Sequence, residues 1–598
     1  MNQQQSDILA GQAIARAKAW QARANQLMTH EEKGIADQML RLLTHPRDKV
    51  ILTQLIDQSF RSENPRRVAD QVNNLLREYG VPDFFSSVDK LLVQMFLGLG
   101  RYIPSISVPK MIGKMRHDSS RAIIPGEPDM LHAHLHKRKK QGVRMNINHL
   151  GEAILGEEEA RARLETYLKD LRSPEIEYIS VKISTIYSQI ESLAFEHTLA
   201  VLQRRLTRLY QAAMDNTFTR HDGTQVPKYV NLDMEEYRDL EITCALFTRT
   251  LDRDIFKTYA AGIVLQAYLP EAFAIQQQLT QWARKRVANG GSPIKIRIVK
   301  GANMEMEQVD AALHHWPLAP YDNKRDVDAN YKRMVTFGMQ PANIQAVHLG
   351  IASHNLFELA YAYELGRLNQ VTDFFNFEML EGMADHVRRA LFETTGEMLL
   401  YAPVASKDQF INAIAYLIRR LDENTSPENF LRYLPKLQTG SRQWAFLEEQ
   451  FSASIAYMDR VGKHPHRVQD RAKEVFSEKM GTFYTNEFQN EADTDWSLAA
   501  NRAWADAIRA KWKKRATDPA LKIPLVVAGQ EFFDNRDQRT CLDASQSTAA
   551  VTVARFALAG EADIQAAVAT AKADPEGWRG LGHRERHRIL AGVAAALR

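Results

Sequence analysis

The chain has 598 residues, 45% of them hydrophobic and 25% charged, and its formal net charge of +4 is small for that length, so composition by itself indicates no nucleic-acid partner. Cys244 and Cys541 are its only cysteines, which excludes a disulfide framework and fits a reducing compartment. The first residues lack the basic-then-apolar pattern of a signal peptide, and no apolar run approaches the roughly 18 residues of a membrane span, so we expect a cytoplasmic protein of two or more domains.

The N-terminal residues predict helices. Apolar residues recur at helical spacing in EEKGIADQMLRLLTH and RVADQVNNLLREYG, and we assign residues 1–130 to a helical arm and a helical domain. A loop at IIPGEPD precedes LHAHLHKRKKQ, in which three histidines alternate: His132, His134 and His136. Alternating histidines are compatible with metal ligation, but the basic run from Lys137 to Lys140 favours a solvated segment, and we predict no metal site.

Residues 131–440 show short β-like runs that alternate with helical stretches. The eight runs are VRMNINHLG (143–151), YISVKIST (178–185), YVNLDM (229–234), GIVLQAYL (262–269), IKIRIVKGA (294–302), IQAVHLGIAS (344–353), FFNFEML (374–380) and LLYAPVA (399–405). Eight strand–helix units predict an α/β fold, a (β/α)8 barrel, although doubly wound sheets alternate in the same way. The long gaps after the second and fifth runs predict extra loops or helices.

Two further segments follow the barrel. Charged helical patterns such as SLAANRAWADAIRAKWKKRA predict a helical linker over residues 441–520. Residues 521–598 predict strands followed by two alanine-rich helices. The sequence ends there without a capping or loop signal, so we expect a chain that is cut within this segment.

Charged residues gather where the predicted strands end. A (β/α)8-barrel enzyme builds its site at the carboxyl ends of the strands, and a charge inside an apolar strand is costly unless it is paired or functional. Lys182, Arg297 and Lys300 are such cations, with Asp233 and Glu152 to balance them. The sequence therefore predicts a polar site at this end of the barrel.

The glycine in RIVKGA is a second, weaker signal. Gly301 lets the backbone come close to a ligand, and the cations beside it suit a phosphate or the polar edge of a flavin. The structural alternative is a barrel strand that ends in a glycine turn. The motif is not a Walker loop, and GLG at 98–100 lacks the third glycine of a dinucleotide fingerprint.

The helix predicted after the last strand carries a polar stripe. In AYLIRRLDEN (415–424), helical spacing puts Tyr416, Arg419, Arg420 and Glu423 on one side. Neighbouring guanidinium groups bind carboxylates in a bidentate way. The stripe therefore indicates either a fork for an anionic ligand or an ordinary solvated helix face.

These motifs resemble the flavin-dependent proline dehydrogenase family. LGEA, YISVKIS, NLDMEE, LQAYLP, IRIVKGAN, IASHN, FEML, YAPV and YLIRRLDEN stand in the order of the family's motifs over roughly residues 145–430. The flanking regions are similar to those of its bifunctional members, the proline utilisation A group, which fuse this barrel to an aldehyde dehydrogenase. Residues 521–598 resemble the beginning of that second domain, whose nicotinamide site and catalytic cysteine are expected beyond Arg598.

The resemblance implies FAD-dependent oxidation of L-proline to Δ1-pyrroline-5-carboxylate, with electrons passed to a membrane quinone. The catalytic residues it implies are Arg297 at flavin N5, Asp233 and Lys182. The substrate-binding residues it implies are Lys182, Leu380, Tyr401, Tyr416, Arg419, Arg420 and Glu152. The FAD-binding residues it implies are Met234, Gln266, Arg297, Val299, Lys300, Gly301, Ala302, Ser353, His354 and Glu423. Arg419 and Arg420 become the carboxylate fork, a role that the spacing of the stripe supports independently.

The resemblance also implies transient contact with the inner face of a membrane and a homo-oligomer. It does not support the aldehyde dehydrogenase step for this sequence. Two alternatives remain, a DNA-binding repressor and an inactive scaffold barrel. The modest net charge disfavours the first, and the intact set of charged motif residues disfavours the second.

Some positions depart from the family pattern. Asn303 and Met304 stand where familiar members have an aromatic pair, and Asp322 replaces a threonine that often contacts the cofactor. The stretch between Tyr401 and Tyr416 is longer than usual. We expect these changes to alter the flavin environment and leave the class of reaction unchanged.

Overall fold

The computed structural model describes residues 3–60, 62–83, 85–150, 154–410, 413, 416, 426–474, 490–513, 517–545 and 550–597. The chain divides into two compact units, Met1–Arg467 and Val468–Arg598. The finer division at residues 130, 440 and 520 stays a prediction.

Eight parallel strands of the first unit close into a barrel. The strands of this unit are β1 Ile124–Pro125, β2 Arg144–His149, β3 Tyr178–Lys182, β4 Thr217–Thr219, β5 Gln225–Pro227, β6 Tyr229–Asp233, β7 Gly262–Gln266, β8 Ile294–Val299, β9 Val347–Ala352, β10 Phe375–Leu380 and β11 Leu399–Ala405. The barrel order is β2, β3, then β6 to β11, and β11 pairs with β2 in parallel from Leu399–Arg144 to Val404–His149. This pairing closes the sheet, so the predicted barrel is confirmed and the doubly wound alternative is wrong.

Helices surround the barrel, and several more precede it in the chain. They are α1 Gln3–Leu27, α2 His30–Thr44, α3 Pro46–Gln54, α4 Pro65–Tyr79, α5 Ser87–Gly98, α6 Pro104–Ser119, α7 Pro128–Lys140, α8 Glu157–Arg172, α9 Ile183–Ile186, α10 Phe195–Met214, α11 Leu240–Leu251, α12 Ala272–Ala288, α13 Met304–His314, α14 Lys324–Gly338, α15 Pro341–Ile344, α16 Leu356–Leu368, α17 Asp385–Thr395, α18 Phe430–Tyr433 and α19 Arg442–Tyr457. Short π or 3-10 turns occupy Leu55–Ser59, Gly100–Tyr102, Tyr237–Asp239, Asp254–Phe256, Thr372–Phe374, Lys407–Gln409 and Leu434–Lys436. The two long gaps hold extra elements as predicted: α9, α10 and the β4–β5 hairpin in one, and α13 to α15 in the other.

The first helix packs on the barrel unit through its alanine face. Ala13, Ala17 and Ala24 are fully buried, because their small side chains let α1 lie closely against α16 and α17. Trp20 Nε1 donates to Thr394 Oγ1 at 2.9 Å, which fixes the rotation of the helix. Helices α4 and α6 instead share a separate small core around Val68, Val72 and Leu76.

The basic, histidine-rich segment is a helix rather than a purely solvated stretch. Arg138 in α7 is buried and its Nε donates to Glu381 Oε1 at 3.0 Å. Leu135, one turn earlier, is also buried. The prediction of a solvated segment was therefore wrong for this face, because basic side chains can bury their stems when a distant carboxylate pairs with them. Within the described ranges no group of three or more histidine, cysteine or acidic side chains could hold a metal.

The loop predicted at IIPGEPD contains a short strand. Ile124 and Pro125 of β1 pair in parallel with Val404 and Ala405 at the end of β11. Two residues carry too little periodicity to be found from sequence. Among the described residues, no helix has the length and apolar character needed to cross a membrane.

The second unit contains helix α20 Ala499–Trp512, strands β12 Leu521–Ile523, β13 Leu525–Val527, β14 Gln530–Phe532, β15 Gln538–Leu542 and β16 Thr552–Ala557, a 3-10 turn at Trp578–Gly580, and helices α21 Glu561–Ala573 and α22 His583–Leu597. β12, β16 and β15 form one sheet, and β13 and β14 form a hairpin. The predicted order, strands followed by two helices, is confirmed.

Candidate active site

A buried arginine lies inside the barrel. Alternation along β8 directs Arg297 inward, where it is 4% exposed. Its Nε donates to Glu378 Oε2 at 2.5 Å, and its Nη1 donates to Asp233 Oδ1 at 2.9 Å. Burial alone would lower the pKa of Arg297, but the charges of Glu378 and Asp233 outweigh it and raise that pKa above its ordinary value. The arginine is therefore a fixed cation at the centre of the barrel.

Asp233 joins this arginine to a tyrosine on the eighth barrel strand. Tyr401 donates its hydroxyl to Asp233 Oδ2 at 2.8 Å, and the Arg297 guanidinium lies 5.3 Å from the centre of the Tyr401 ring. Ser180 and Asn231 each donate to Asp233 Oδ1 at 3.0 Å. One carboxylate thus fixes side chains from four strands in a single arrangement. The sequence-predicted residues Asp233, Arg297 and Tyr401 do come together.

Lys182 pairs with a carboxylate that the sequence analysis does not single out. It ends β3, and its Nζ donates to Glu235 Oε1 at 2.6 Å. Ser184 donates its hydroxyl to the same carboxylate. The Glu235 backbone carbonyl accepts from Gln266 Nε2 at 3.1 Å and from Asn303 Nδ2 at 2.6 Å. Glu235 therefore ties together the ends of three strands, and Asn303, one of the unusual positions, has a structural role here.

Lys300 belongs to a partly buried group that we call the lysine cluster, formed by Lys300, Lys324, Asp328, Lys332 and Glu358. Lys300 Nζ donates to Asp328 Oδ1 at 2.5 Å and to Glu358 Oε1 at 3.1 Å. Lys332, fully buried, donates to Glu358 Oε1 at 2.8 Å, and Lys324 donates to Asp328. Burial alone would raise the pKa of Asp328, but the surrounding lysines outweigh it and hold that pKa well below its ordinary value. Three ammonium groups share two carboxylates, which leaves positive charge in excess beside the end of β8.

Gly301 is required by a neighbouring aromatic ring. Its φ is +129°, and a Cβ there would lie 2.4 Å from the Tyr268 ring. The Tyr268 N–H also donates to the Lys300 carbonyl at 2.7 Å, so the two loops are held together. The close approach predicted for Gly301 is thus made to a protein side chain, which explains why glycine is needed without reference to a ligand.

The ends of β9 and β10 are joined by a histidine. The Leu380 N–H donates to His354 Nε2 at 3.1 Å, which assigns the proton of a neutral ring to Nδ1. The Ser353 N–H donates to the Glu378 carbonyl at 3.2 Å, and its hydroxyl accepts from the Asn355 N–H at 3.0 Å. His354, Ser353 and Leu380 are therefore close together.

The remaining predicted residues divide into two groups. Met234 is buried in the core, and Val299, Ala302 and Tyr416 are half-buried, with Tyr416 packed against the small cluster around Ile123. Four predicted residues lie outside the described part of the chain: Glu152, Arg419, Arg420 and Glu423. The choice between a carboxylate fork and a solvated face for AYLIRRLDEN therefore stays open.

Carboxylates that complete the site have no role in the sequence-based prediction. Glu378 lies on a barrel strand with the same side-chain parity as Leu380, and this alternation was the available signal. Glu235 follows Asp233 by two residues, so the same rule applied to the end of β6 points to it. Asp328 and Glu358 lie on helices α14 and α16, and nothing local in the sequence indicates that they meet Lys300.

Several buried polar atoms of the site, among them Gln266 Oε1 and Glu358 Oε2, have no hydrogen-bond partner among the described residues, and one of them is a donor on the central arginine. Arg297 Nη2 is buried and makes no hydrogen bond to any described residue. A buried guanidinium donor that is left unsatisfied destabilises the fold by roughly 1–3 kcal/mol or more. Such a donor at the carboxyl half of the barrel is suited to an electron-rich atom of a bound ligand.

A closed (β/α)8 barrel whose charged residues gather at the carboxyl ends of its strands has the layout of a (β/α)8-barrel enzyme. The family model for proline dehydrogenase matches residues 131–433, about half of the chain. The chain belongs to the proline dehydrogenase family, and the resemblance read from the motifs is confirmed.

Curated relatives share about a quarter of their aligned residues with this chain. Bifunctional protein PutA of Escherichia coli is 25% identical over 323 residues, which are 50% of this chain and 23% of that protein. Proline dehydrogenase 2 of Bacillus subtilis is 25% identical over 290 residues, 48% of this chain and 80% of that protein. The matches thus span about a quarter of the length of the bifunctional relative.

Two solved structures that are similar to this chain are proline utilisation A proteins. The protein from Bdellovibrio bacteriovorus, inactivated by N-propargylglycine, matches with a TM-score of 0.73 and 25% identity over 96% of this chain and 55% of that one. The protein from Corynebacterium freiburgense matches with a TM-score of 0.56 and 33% identity over 74% of this chain and 40% of that one. Both likenesses extend beyond the barrel.

Proposed function

We propose that this chain oxidises L-proline to Δ1-pyrroline-5-carboxylate with FAD, at the carboxyl end of the barrel. The observation that carries the proposal is the buried network of Arg297, Asp233 and Tyr401, in which Arg297 Nη2 has no partner among the described residues. Family membership supports the substrate and the cofactor. FAD, when bound, supplies a two-electron acceptor for hydride.

The residues fit this cofactor in two respects. Arg297 Nη2 offers a buried donor to the electron-rich edge of the flavin, and the lysine cluster offers excess positive charge to its phosphates. Further residues that we propose to line FAD are Met234, Gln266, Val299, Lys300, Gly301, Ala302, Ser353, His354 and Glu423.

The same network would orient proline. Arg419 and Arg420 are proposed to hold its carboxylate, positioned by Glu152, while Leu380, Tyr401 and Tyr416 shape the pocket around the ring. Hydride can leave the carbon next to nitrogen only when the amine is neutral. Lys182 and Arg297 favour that state, because nearby cations lower the pKa of a bound amine.

Further parts of the proposal concern what lies beyond the site. A membrane quinone is proposed to take the electrons, during transient contact with the inner face of a membrane, and a homo-oligomer is proposed as the assembly. Residues 521–598 are proposed to begin an aldehyde dehydrogenase domain. The order of their strands and helices, and the 96% coverage in the Bdellovibrio comparison, support that assignment.

The decisive experiment is optical. The purified protein is expected to be yellow and, without oxygen, to lose its flavin absorbance near 450 nm when L-proline is added. D-proline at the same concentration serves as the control for nonspecific reduction. Colourless protein that releases no flavin on denaturation, or a bound flavin that L-proline leaves oxidised, contradicts the proposal.

A further inference from the structure

A lysine lies inside the barrel, on the same strand as the central arginine. Lys295 precedes Arg297 by two residues on β8, so alternation directs both side chains to the interior of the barrel. Lys295 is 8% exposed, and its Nζ lies 2.5 Å from Glu378 Oε1. The interior of a (β/α)8 barrel is normally packed with apolar side chains, and a charge there is costly unless it is paired. The carboxylate of Glu378 therefore accounts for the presence of a lysine.

A glycine on the intervening strand lets the lysine and the carboxylate meet. Lys295 is on β8 and Glu378 is on β10, and β9 lies between these two strands in the barrel. Gly350 of β9 is the register partner of Arg297. A Cβ at Gly350 would overlap Glu378 Oε1 and would lie 2.9 Å from Lys295 Cε. A side chain at this position would therefore push the ion pair apart.

The ion pair continues to the central arginine and to Asp233. Glu378 Oε2 accepts from Arg297 Nε at 2.5 Å, and Arg297 Nη1 donates to Asp233 Oδ1 at 2.9 Å. Lys295, Glu378, Arg297 and Asp233 thus form a row in which positive and negative groups alternate, and we call it the ion row. Two cations and two carboxylates balance each other, so the ion row has no net charge.

This balance depends on the lysine. Burial alone would raise the pKa of Glu378, but Arg297 and then Lys295 outweigh it and lower that pKa, so the carboxylate is ionised. Arg144 also acts on Lys295, and its own charge is met by Glu177. Arg297 already has two carboxylate partners. Without Lys295, the three remaining groups of the ion row would therefore carry one negative charge.

We propose that Lys295 is a positioning residue that acts through Glu378 on the reduction potential of the flavin, by keeping the ion row neutral. The inference rests on the proposed function, because the flavin is the group whose potential changes. A reduced flavin is more negative than an oxidised one, so an uncompensated carboxylate in the ion row disfavours reduction. A lysine that served packing alone would have no such effect on the flavin.

The test measures the two-electron reduction potential of the flavin bound to the full chain, by anaerobic equilibration with a reference dye of known potential. Lys295→Met leaves the ion row with one negative charge. We expect the equilibrium to shift about tenfold toward oxidised flavin, because a unit charge nearby in protein surroundings has an effect of about that size. For a two-electron couple, tenfold corresponds to about 30 mV. Lys285→Met, at an exposed lysine of α12, is the matched control and should keep the wild-type potential.

A double variant separates the effect of charge from that of packing. Lys295→Met combined with Glu378→Gln removes one charge of each sign and makes the ion row neutral again. Its potential should therefore return close to that of wild type. Disturbed packing predicts the reverse, because two substitutions in one buried contact disturb the barrel at least as much as one.

Flavin content and thermal melting check that each variant is loaded and folded. If Lys295→Met does not fold, Lys295→Gln takes its place with the same expected shift, because the amide removes the charge and keeps a donor for Glu378. A loaded variant at Lys295 whose potential equals or exceeds that of wild type overturns the inference alone. A double variant whose potential is as low as that of the single variant does the same. Wild type that binds no flavin contradicts both the inference and the proposed function.

Discussion

The two ends of the barrel use the same kinds of charged residue for different purposes. At the N-terminal rim, Glu177 is 4% exposed and accepts from Arg144 Nε at 3.0 Å and from Arg220 Nη2 at 2.9 Å. Arg220 lies in the turn between β4 and β5, so this contact anchors the hairpin to the barrel floor. Every charge of this rim network has a partner, and its role is structural.

The carboxyl end is less completely paired. Arg297 retains a buried donor without a partner among the described residues, and the lysine cluster carries excess positive charge. Groups held in such unbalanced surroundings are more often functional than structural. A structural network therefore differs from a candidate site in whether each charged group has a partner, and not in the number of charges.

The largest expected effect comes from removing the unpaired donor. Arg297→Lys keeps a cation between Glu378 and Asp233 but loses Nη2 and the planar fork. We expect proline-dependent flavin reduction to slow by about 100-fold or more, because a positioned donor at developing charge is worth roughly 3 kcal/mol. Stopped-flow absorbance measures the rate, with flavin content as a check on folding. Arg249→Lys, at an exposed arginine, is the control, and equal rates in all three proteins contradict the assignment.

The next largest effect concerns Asp239, a buried carboxylate near the site whose charge is only weakly offset by a neighbouring cation. Burial, opposed weakly by Arg238, raises the pKa of Asp239 to about 7, so the folded state binds a proton that the unfolded state releases near pH 4. Stability therefore falls as pH rises from about 4 to 7 and stays low above 7. We expect Asp239→Asn to be more stable than wild type by a few kcal/mol at pH 8, with the gap closing at pH 4. Urea unfolding at the two pH values measures this, and equal stability at pH 8 contradicts it.

At the N-terminal rim, where every charge of the network has a partner, we expect stability to depend on pH in the opposite direction. Burial alone would raise the pKa of Glu177, but Arg144 and Arg220 outweigh it and lower that pKa. Its stabilising effect is thus present above about pH 4.5 and is lost as pH falls below that value. We expect Glu177→Gln to be destabilised by about 2 kcal/mol at pH 7, since both arginines are partly exposed, with proline oxidation by the folded protein unchanged. A slower reaction in the folded variant would show that the two ends are not separate.

The smallest expected effect comes from removing one of the several hydrogen bonds that Asp233 accepts. Tyr401→Phe removes one of four donors to Asp233 and leaves Arg297, Ser180 and Asn231 in place. A neutral hydrogen bond contributes about 1 kcal/mol, so we expect flavin reduction to slow about fivefold. A loss as large as that of Arg297→Lys would mean that the hydroxyl itself takes part in the chemistry.

Local sequence determined the strands and the side chains that they present. Period-two alternation and strand–helix repetition are set by neighbours in the chain, so the eight strands, Arg297 inside β8, and Lys182 and Asp233 at strand ends were all predictable. The family motifs added Tyr401, Leu380 and His354, and the structure brings these residues to the same end of the barrel. The carboxylate fork that we predict within residues 415–424 stays a prediction.

Tertiary structure alone decided which charges meet. Lys182 pairs with Glu235, Lys300 meets carboxylates from two helices, and Arg138 in a basic helix binds Glu381 far along the chain. Lys182 meets Glu235 because β3 and β6 are neighbours in the barrel, whereas the pairs of Lys300 and Arg138 depend on which helices the fold places beside which strand ends. Charge attracts charge over any distance in sequence, and hydrophobic periodicity carries no information about which partner the fold brings near.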